Sequence, residues 1–126
     1  MIIKAVAVAT LISMLNFTPT ITTQEAIVTA YAPHDNVSGI CNDGDPNSTA
    51  TGTYPEIGTL AVDPNEIPYE TNVYILGYGW GVAEDTGYLL RADEENVRVD
   101  VYKETHAEAM KFGRQELRII IIGGRE

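Results

Sequence analysis

A chain of 126 residues supports one domain with a modest core, and its 44% hydrophobic and 21% charged content is that of an ordinary folded globular protein. The net charge is −10, from 18 acids against 8 bases. That balance argues against a nucleic-acid phosphate backbone, which needs clustered Lys and Arg, and against docking on an anionic membrane through a basic face; a neutral or mixed-charge partner such as a glycan is among those it allows.

Lys4 follows Met1-Ile2-Ile3, and the stretch from Ala5 to Phe17 is uncharged and mostly apolar. It is shorter than the roughly 20 apolar residues a transmembrane helix needs, and it fits the apolar region of a secretory signal. Residues 1–25 therefore read as a signal peptide or an uncleaved N-terminal anchor, and 26–126 as the domain, which is expected to be secreted or in the cell envelope. Ala26 to Ala32 alternates and is β-branched, predicting a first strand. A polar loop rich in Gly and Pro follows, from Pro33 to Ser48, and loops of that length in small domains are often functional. The single cysteine, Cys41, cannot make an internal disulfide and reads as a small buried hydrophobe or as an exposed thiol free to pair between chains.

Thr49-Ala50-Thr51-Gly52 reads as a short strand or turn. Gly58 to Val62 is a strand stopped by Asp63-Pro64, since proline cannot donate in a ladder. Thr71 to Leu76, Trp80 to Glu84 and Val97 to Tyr102 are further strands, and Leu117 to Ile122 is an apolar closing strand. One helix is predicted, from Thr105 to Phe112, with Thr105 and Glu108 at capping-box spacing and Gly113 to end it. Six or seven short strands and one short helix, without a repeat, predict a small closed β-barrel.

Three aspartates end or interrupt these apolar strands: Asp63, Asp85 before Thr86-Gly87, and Asp100 in Val99-Asp100-Val101. A carboxylate there costs sheet stability unless something compensates, and three together predict a shared acidic pocket suited to proton chemistry. Taken singly, each reads as an ordinary turn cap.

The ordered segments Thr29-Ala30-Tyr31, Thr49-Ala50-Thr51-Gly52, Ala61-Val62-Asp63-Pro64, Val73-Tyr74-Ile75, Gly77-Tyr78-Gly79, Ala83-Glu84-Asp85-Thr86-Gly87 and Val99-Asp100-Val101-Tyr102 resemble the "3D" domain family, named for its three aspartates. Glu108-Ala109 and Phe112-Gly113-Arg114 match a later segment, so the resemblance runs from Ile27 to Ile122. That family is related to the catalytic domain of membrane-bound lytic transglycosylase A and to the stationary-phase survival proteins. The resemblance implies a mainly β fold, a six-stranded double-psi β-barrel, and cleavage of peptidoglycan glycan strands between N-acetylmuramic acid and N-acetylglucosamine. It makes Asp100 the catalytic acid, puts Asp85 in the same pocket and gives Asp63 a supporting place. It also puts Arg91 at the family's lysine position, Tyr88 where the family has glycine, and a four-residue insertion at Asp93-Glu94-Glu95-Asn96.

Lytic cleavage uses one group twice, to protonate the glycosidic oxygen and to deprotonate the C6 hydroxyl of the same sugar; a hydrolase needs two carboxyls at a set separation. Asp100 is expected to have a raised pKa from burial and from the charge of Asp85. Arg91 is expected to balance charge or hold substrate, Tyr31 and Thr51 to line the sugar groove, and Trp80 to stack on a ring. The alternative in keeping with the same barrel is a non-catalytic wall-binding module. Asp85-Thr86-Gly87 is also the aspartic-protease tripeptide, but in such a domain it comes early, and Asp63 and Asp100 would go unexplained.

No metal or cofactor is expected. Asp43-Gly44-Asp45-Pro46-Asn47 opens like a calcium loop, but Tyr54 stands where a bidentate Glu is required and Ser48 where glycine is needed. His34 and His106 lack partners at metal-ligand spacing and read as surface residues.

Overall fold

The computed structural model describes residues 19–35 and 44–123. Cys41, the middle of the Pro33–Ser48 loop and the apolar stretch from Ala5 to Phe17 lie outside those residues. The described residues form six strands: β1 (Thr20–Tyr31), β2 (Thr59–Val62), β3 (Asn72–Ile75), β4 (Gly79–Asp85), β5 (Arg98–Tyr102) and β6 (Gln115–Gly123). They close in the order β1-β5-β2-β4-β3-β6. The β1–β5 and β2–β4 pairs are parallel and the other four antiparallel, a closed six-stranded mixed barrel consistent with a small double-psi barrel. No helix among the described residues is long and apolar enough to cross a membrane.

The period-2 pattern of each strand decides which side faces in. Leu60, Val101 and Ala83 stand opposite one another in β2, β5 and β4, and all three are wholly buried inside the barrel with Val28, Ile75 and Ile119. Burying an aliphatic side chain of that size contributes about 1.5–3 kcal/mol. Gly81 is part of the same packing, because a Cβ at that position would lie 2.6 Å from Cγ of Leu60. The glycine leaves the space that Leu60 fills.

Two differences from the sequence reading have physical reasons. β1 begins at Thr20 rather than Ala26, and Thr20 to Glu25 pair with β6 from Gly123 back to Arg118. That segment is β-branched but largely exposed, so hydrophobic alternation could not reveal it. Among the described residues there are also two helices rather than one. The extra one, α1 (Tyr88–Ala92), is a single turn of good helix formers that buries Leu90 against β2 and β5. The predicted helix is α2 (His106–Phe112). Thr105 caps it by accepting from the Glu108 N–H at 3.1 Å, and Gly113, at φ 66°, donates its N–H to the Ala109 carbonyl.

Candidate functional site

The acidic site is built on the outside of the barrel, on one row of residues that crosses four strands. Thr29 pairs with Asp100 in β1–β5, Asp100 with Ala61 in β5–β2, and Ala61 with Asp85 in β2–β4. Residues directly opposite in a ladder point to the same face, so the two aspartates flank the small side chain of Ala61. The row depends on an irregularity. Leu60 pairs with Ala83, but Ala61 pairs with Asp85, so Glu84 is the extra residue of a β-bulge. In regular register Glu84 would sit beside Ala61. The bulge puts Asp85 there and lets the Glu84 carboxylate accept from Thr59 Oγ1 at 3.0 Å.

The two carboxyls have different surroundings. Asp85 is engaged at both oxygens: the Tyr31 hydroxyl donates to Oδ2 at 3.1 Å, and the N–H groups of Ala50 and Thr86 donate to Oδ1 at 3.1 and 2.9 Å. Asp100 accepts from Thr29 Oγ1 at 2.9 Å through Oδ1. Desolvation pushes the Asp100 carboxyl up to about 6, opposed by the Thr29 hydrogen bond and the positive charge of Arg98, with a smaller upward push from Asp85. Burial thus does most of what the sequence reading divided between burial and Asp85.

Both aspartates open into one cleft of about 310 Å³, whose floor is Ala61. Its walls come from Tyr31, from the 44–48 segment and from the Thr86–Leu90 stretch leading into and through α1. The Thr86 hydroxyl is buried there without a hydrogen-bond partner among the described residues. The cleft is part polar, part apolar, and of the size of a small-molecule or sugar site.

The other expected site residues are distributed as follows. Asp63 does not line the cleft; its Oδ1 accepts from the Asn65 N–H at 3.0 Å and its carbonyl from those of Glu66 and Ile67, a local turn. It lies near Glu66, whose carboxyl is raised by burial and then by the charges of Asp63 and Asp93. Thr51 is exposed, and its hydroxyl bonds that of Thr49 within the turn that presents the Ala50 N–H to Asp85. Arg91 is exposed on α1, and the cation near Asp100 is instead Arg98, two residues away on the same strand face. Trp80 lies at the opposite end of β4, outside the cleft. Of the expected residues, the cleft therefore brings together Asp85, Asp100 and Tyr31.

Thr29, Arg98 and Ala61 were not singled out as site residues from sequence. Arg98 carried a usable signal, being two positions from Asp100 in an alternating strand. Thr29 and Ala61 become visible only when strand register is known. Among the described residues no group of three or more His, Cys, Asp or Glu side chains could hold a metal ion.

The family model described as "3D domain" matches residues 58–123, which contain Asp63, Asp85 and Asp100. Two curated proteins of Bacillus subtilis (strain 168) are similar to the chain. The putative cell wall shaping protein YabE is 33% identical over 78 residues, covering 59% of this chain and 18% of that protein. The cell wall-binding protein YocH is 31% identical over 99 residues, covering 75% of this chain and 30% of that protein. The chain thus spans less than a third of the length of either relative.

Proposed function

Because the chain belongs to the 3D domain family, we propose that it works at the cell wall, outside the cytoplasm, and that its acidic cleft cleaves peptidoglycan glycan strands as a lytic transglycosylase. The observation that carries this reading is that the Asp100 carboxyl opens beside Asp85 into one cleft, where burial raises it to about 6. Such a group holds its proton in an appreciable fraction of molecules near neutral pH and gives it up readily, as an acid and base in one cycle requires. The relatives' names, cell wall shaping and cell wall-binding, agree with a wall polymer as partner.

In the proposed cycle, protonated Asp100 donates to the oxygen linking N-acetylmuramic acid to N-acetylglucosamine as the bond from C1 to that oxygen breaks. The positive charge developing on the sugar is stabilised by the Asp85 carboxylate. The C6 hydroxyl of the muramic residue then attacks C1, and its proton passes to the Asp100 carboxylate. Asp100 ends as it began, a 1,6-anhydro ring has formed, and no water is consumed. A hydrolase would instead recruit a second carboxyl to activate water. Here the second carboxyl is committed to three hydrogen bonds, which suits it better to holding charge than to moving a proton.

A non-catalytic wall-binding module is the second reading, favoured by the name of the YocH relative. Purified peptidoglycan incubated with the protein and analysed by mass spectrometry separates the readings. Anhydro-muropeptides are the expected product. Fragments with reducing ends would make the protein a hydrolase, and co-sedimentation with the wall without fragments would make it a binding module.

A further inference from the structure

A second groove lies on the outer face of the barrel toward the other end of β4. Trp80, Val82 and Glu84 occupy alternate positions on that face. Trp80 is the chain's one tryptophan and is 57% exposed. Its ring meets that of Tyr74, its partner in β3, edge to face, with centroids 5.1 Å apart and an angle of 68°. The indole is therefore braced in place. With Glu56, Asn72, Glu84 and Ile122 it lines a groove of about 440 Å³.

An exposed, oriented indole beside an amide and two carboxylates is matched to a sugar ring. The C–H face of a pyranose stacks on the indole, and its hydroxyls donate to Glu56 and Glu84 or bond the Asn72 amide. The two carboxylates and the net charge of −10 disfavour an anionic occupant. The groove also adjoins the acidic cleft, because Glu84 lines one, the next residue, Asp85, lines the other, and both belong to β4. Trp80 and Asp85 are five residues apart in the strand, a span of roughly 16 Å at ordinary strand rise, the reach of a short oligosaccharide rather than one sugar.

We propose that this groove is a remote saccharide subsite, in which Trp80 stacks on a sugar of the same glycan strand whose linkage lies at Asp100. The proposal rests on the glycan-cleaving reading for its ligand class. Binding at a distance from the reacting bond would hold the strand in register while the cleft acts, so longer strands would be favoured over short ones.

The single tryptophan makes the groove directly observable. N-acetylglucosamine oligomers of increasing length are titrated against the wild type with Trp80 emission as readout, and against Trp80→Ala and Trp80→Phe by calorimetry. The expected result is a saturable emission change with affinity rising with length. Trp80→Ala should bind the longer oligomers about tenfold more weakly and Trp80→Phe by less, with melting temperatures unchanged. Emission unaltered by every oligomer, or equal affinities in wild type and Trp80→Ala, overturns the proposal. Emission that responds to a lysine-bearing stem peptide but to no oligomer overturns it too, in favour of a cationic ligand. Failure of the cleavage reading is distinguishable: a protein that releases no wall fragments but gives the length-dependent emission change keeps the subsite and loses the enzyme. One that cleaves walls while Trp80 stays silent does the reverse.

Discussion

Leu60 and Ala61 are neighbours in β2 and both are buried, but by different means. Leu60 points into the barrel, where closure of the ladder on itself excludes water. Ala61 points outward and is covered by a single-turn helix and a loop. The inner row, Val101–Leu60–Ala83, is wholly aliphatic; the outer row, Thr29–Asp100–Ala61–Asp85, carries two carboxyls. Burial inside a closed barrel contributes stability and admits no ligand. Burial under an added roof desolvates a carboxyl while leaving a cleft beside it. One strand supplies both, because its alternate residues belong to different environments.

Substitutions in the two rows should therefore separate function from folding. The largest effect expected is on catalysis: Asp100→Asn should lower anhydro-muropeptide release by about 10²–10⁴-fold, the usual worth of a general acid or base, with circular dichroism unchanged. On the inner row, Leu60→Ala should cost about 2–5 kcal/mol in denaturant unfolding. Gly81→Ala forces a methyl against the same Leu60 and should cost about 1–3 kcal/mol, and Leu60→Ala placed in the same chain should relieve part of that cost.

Asp100→Asn should also have an opposite, pH-dependent effect on stability. Between pH 3.8 and about 6 the folded chain keeps a proton on Asp100 that the unfolded chain has released. The stability contributed by that group is complete below this window and is lost as pH rises through it. The asparagine variant, which does not titrate, should match the wild type below the window. Above it the variant should be more stable by about 1–3 kcal/mol. The smallest change expected is from Thr29→Val, which removes a hydrogen bond that favours the charged form of Asp100. The pH at which Asp100 ionises should rise, and the alkaline limb of the activity profile should move upward with it. An unmoved limb would detach Thr29 from the acid.

The central strands, the capped helix and the barrel were legible in the sequence because alternation, Asp-Pro and Gly-rich turns and the Thr105–Glu108 spacing are local signals. Asp85 and Asp100 were legible because a carboxylate in an apolar strand conflicts with its setting. What remained hidden depends on register. The Glu84 bulge that brings Asp85 beside Ala61, the pairing of Thr29 with Asp100 and the exposed start of β1 follow from which strands lie side by side. Asp63 has the same local appearance as the other two aspartates, but it lies beyond the end of β2, where its carboxyl bonds a neighbouring amide within a turn. Trp80 lies outside the cleft because distance along β4 separates two openings on one face, and spacing in the sequence does not distinguish them.

The most direct test is titration of the Asp100 carboxyl itself by carbon-detected NMR on labelled protein, with Asp100→Asn to assign the signal. Desolvation under the α1 roof predicts a midpoint of about 6. A midpoint near 3.8, the ordinary value for an aspartate, would mean that this carboxyl is ionised and solvated at the pH where it is required to carry a proton, and would contradict the account.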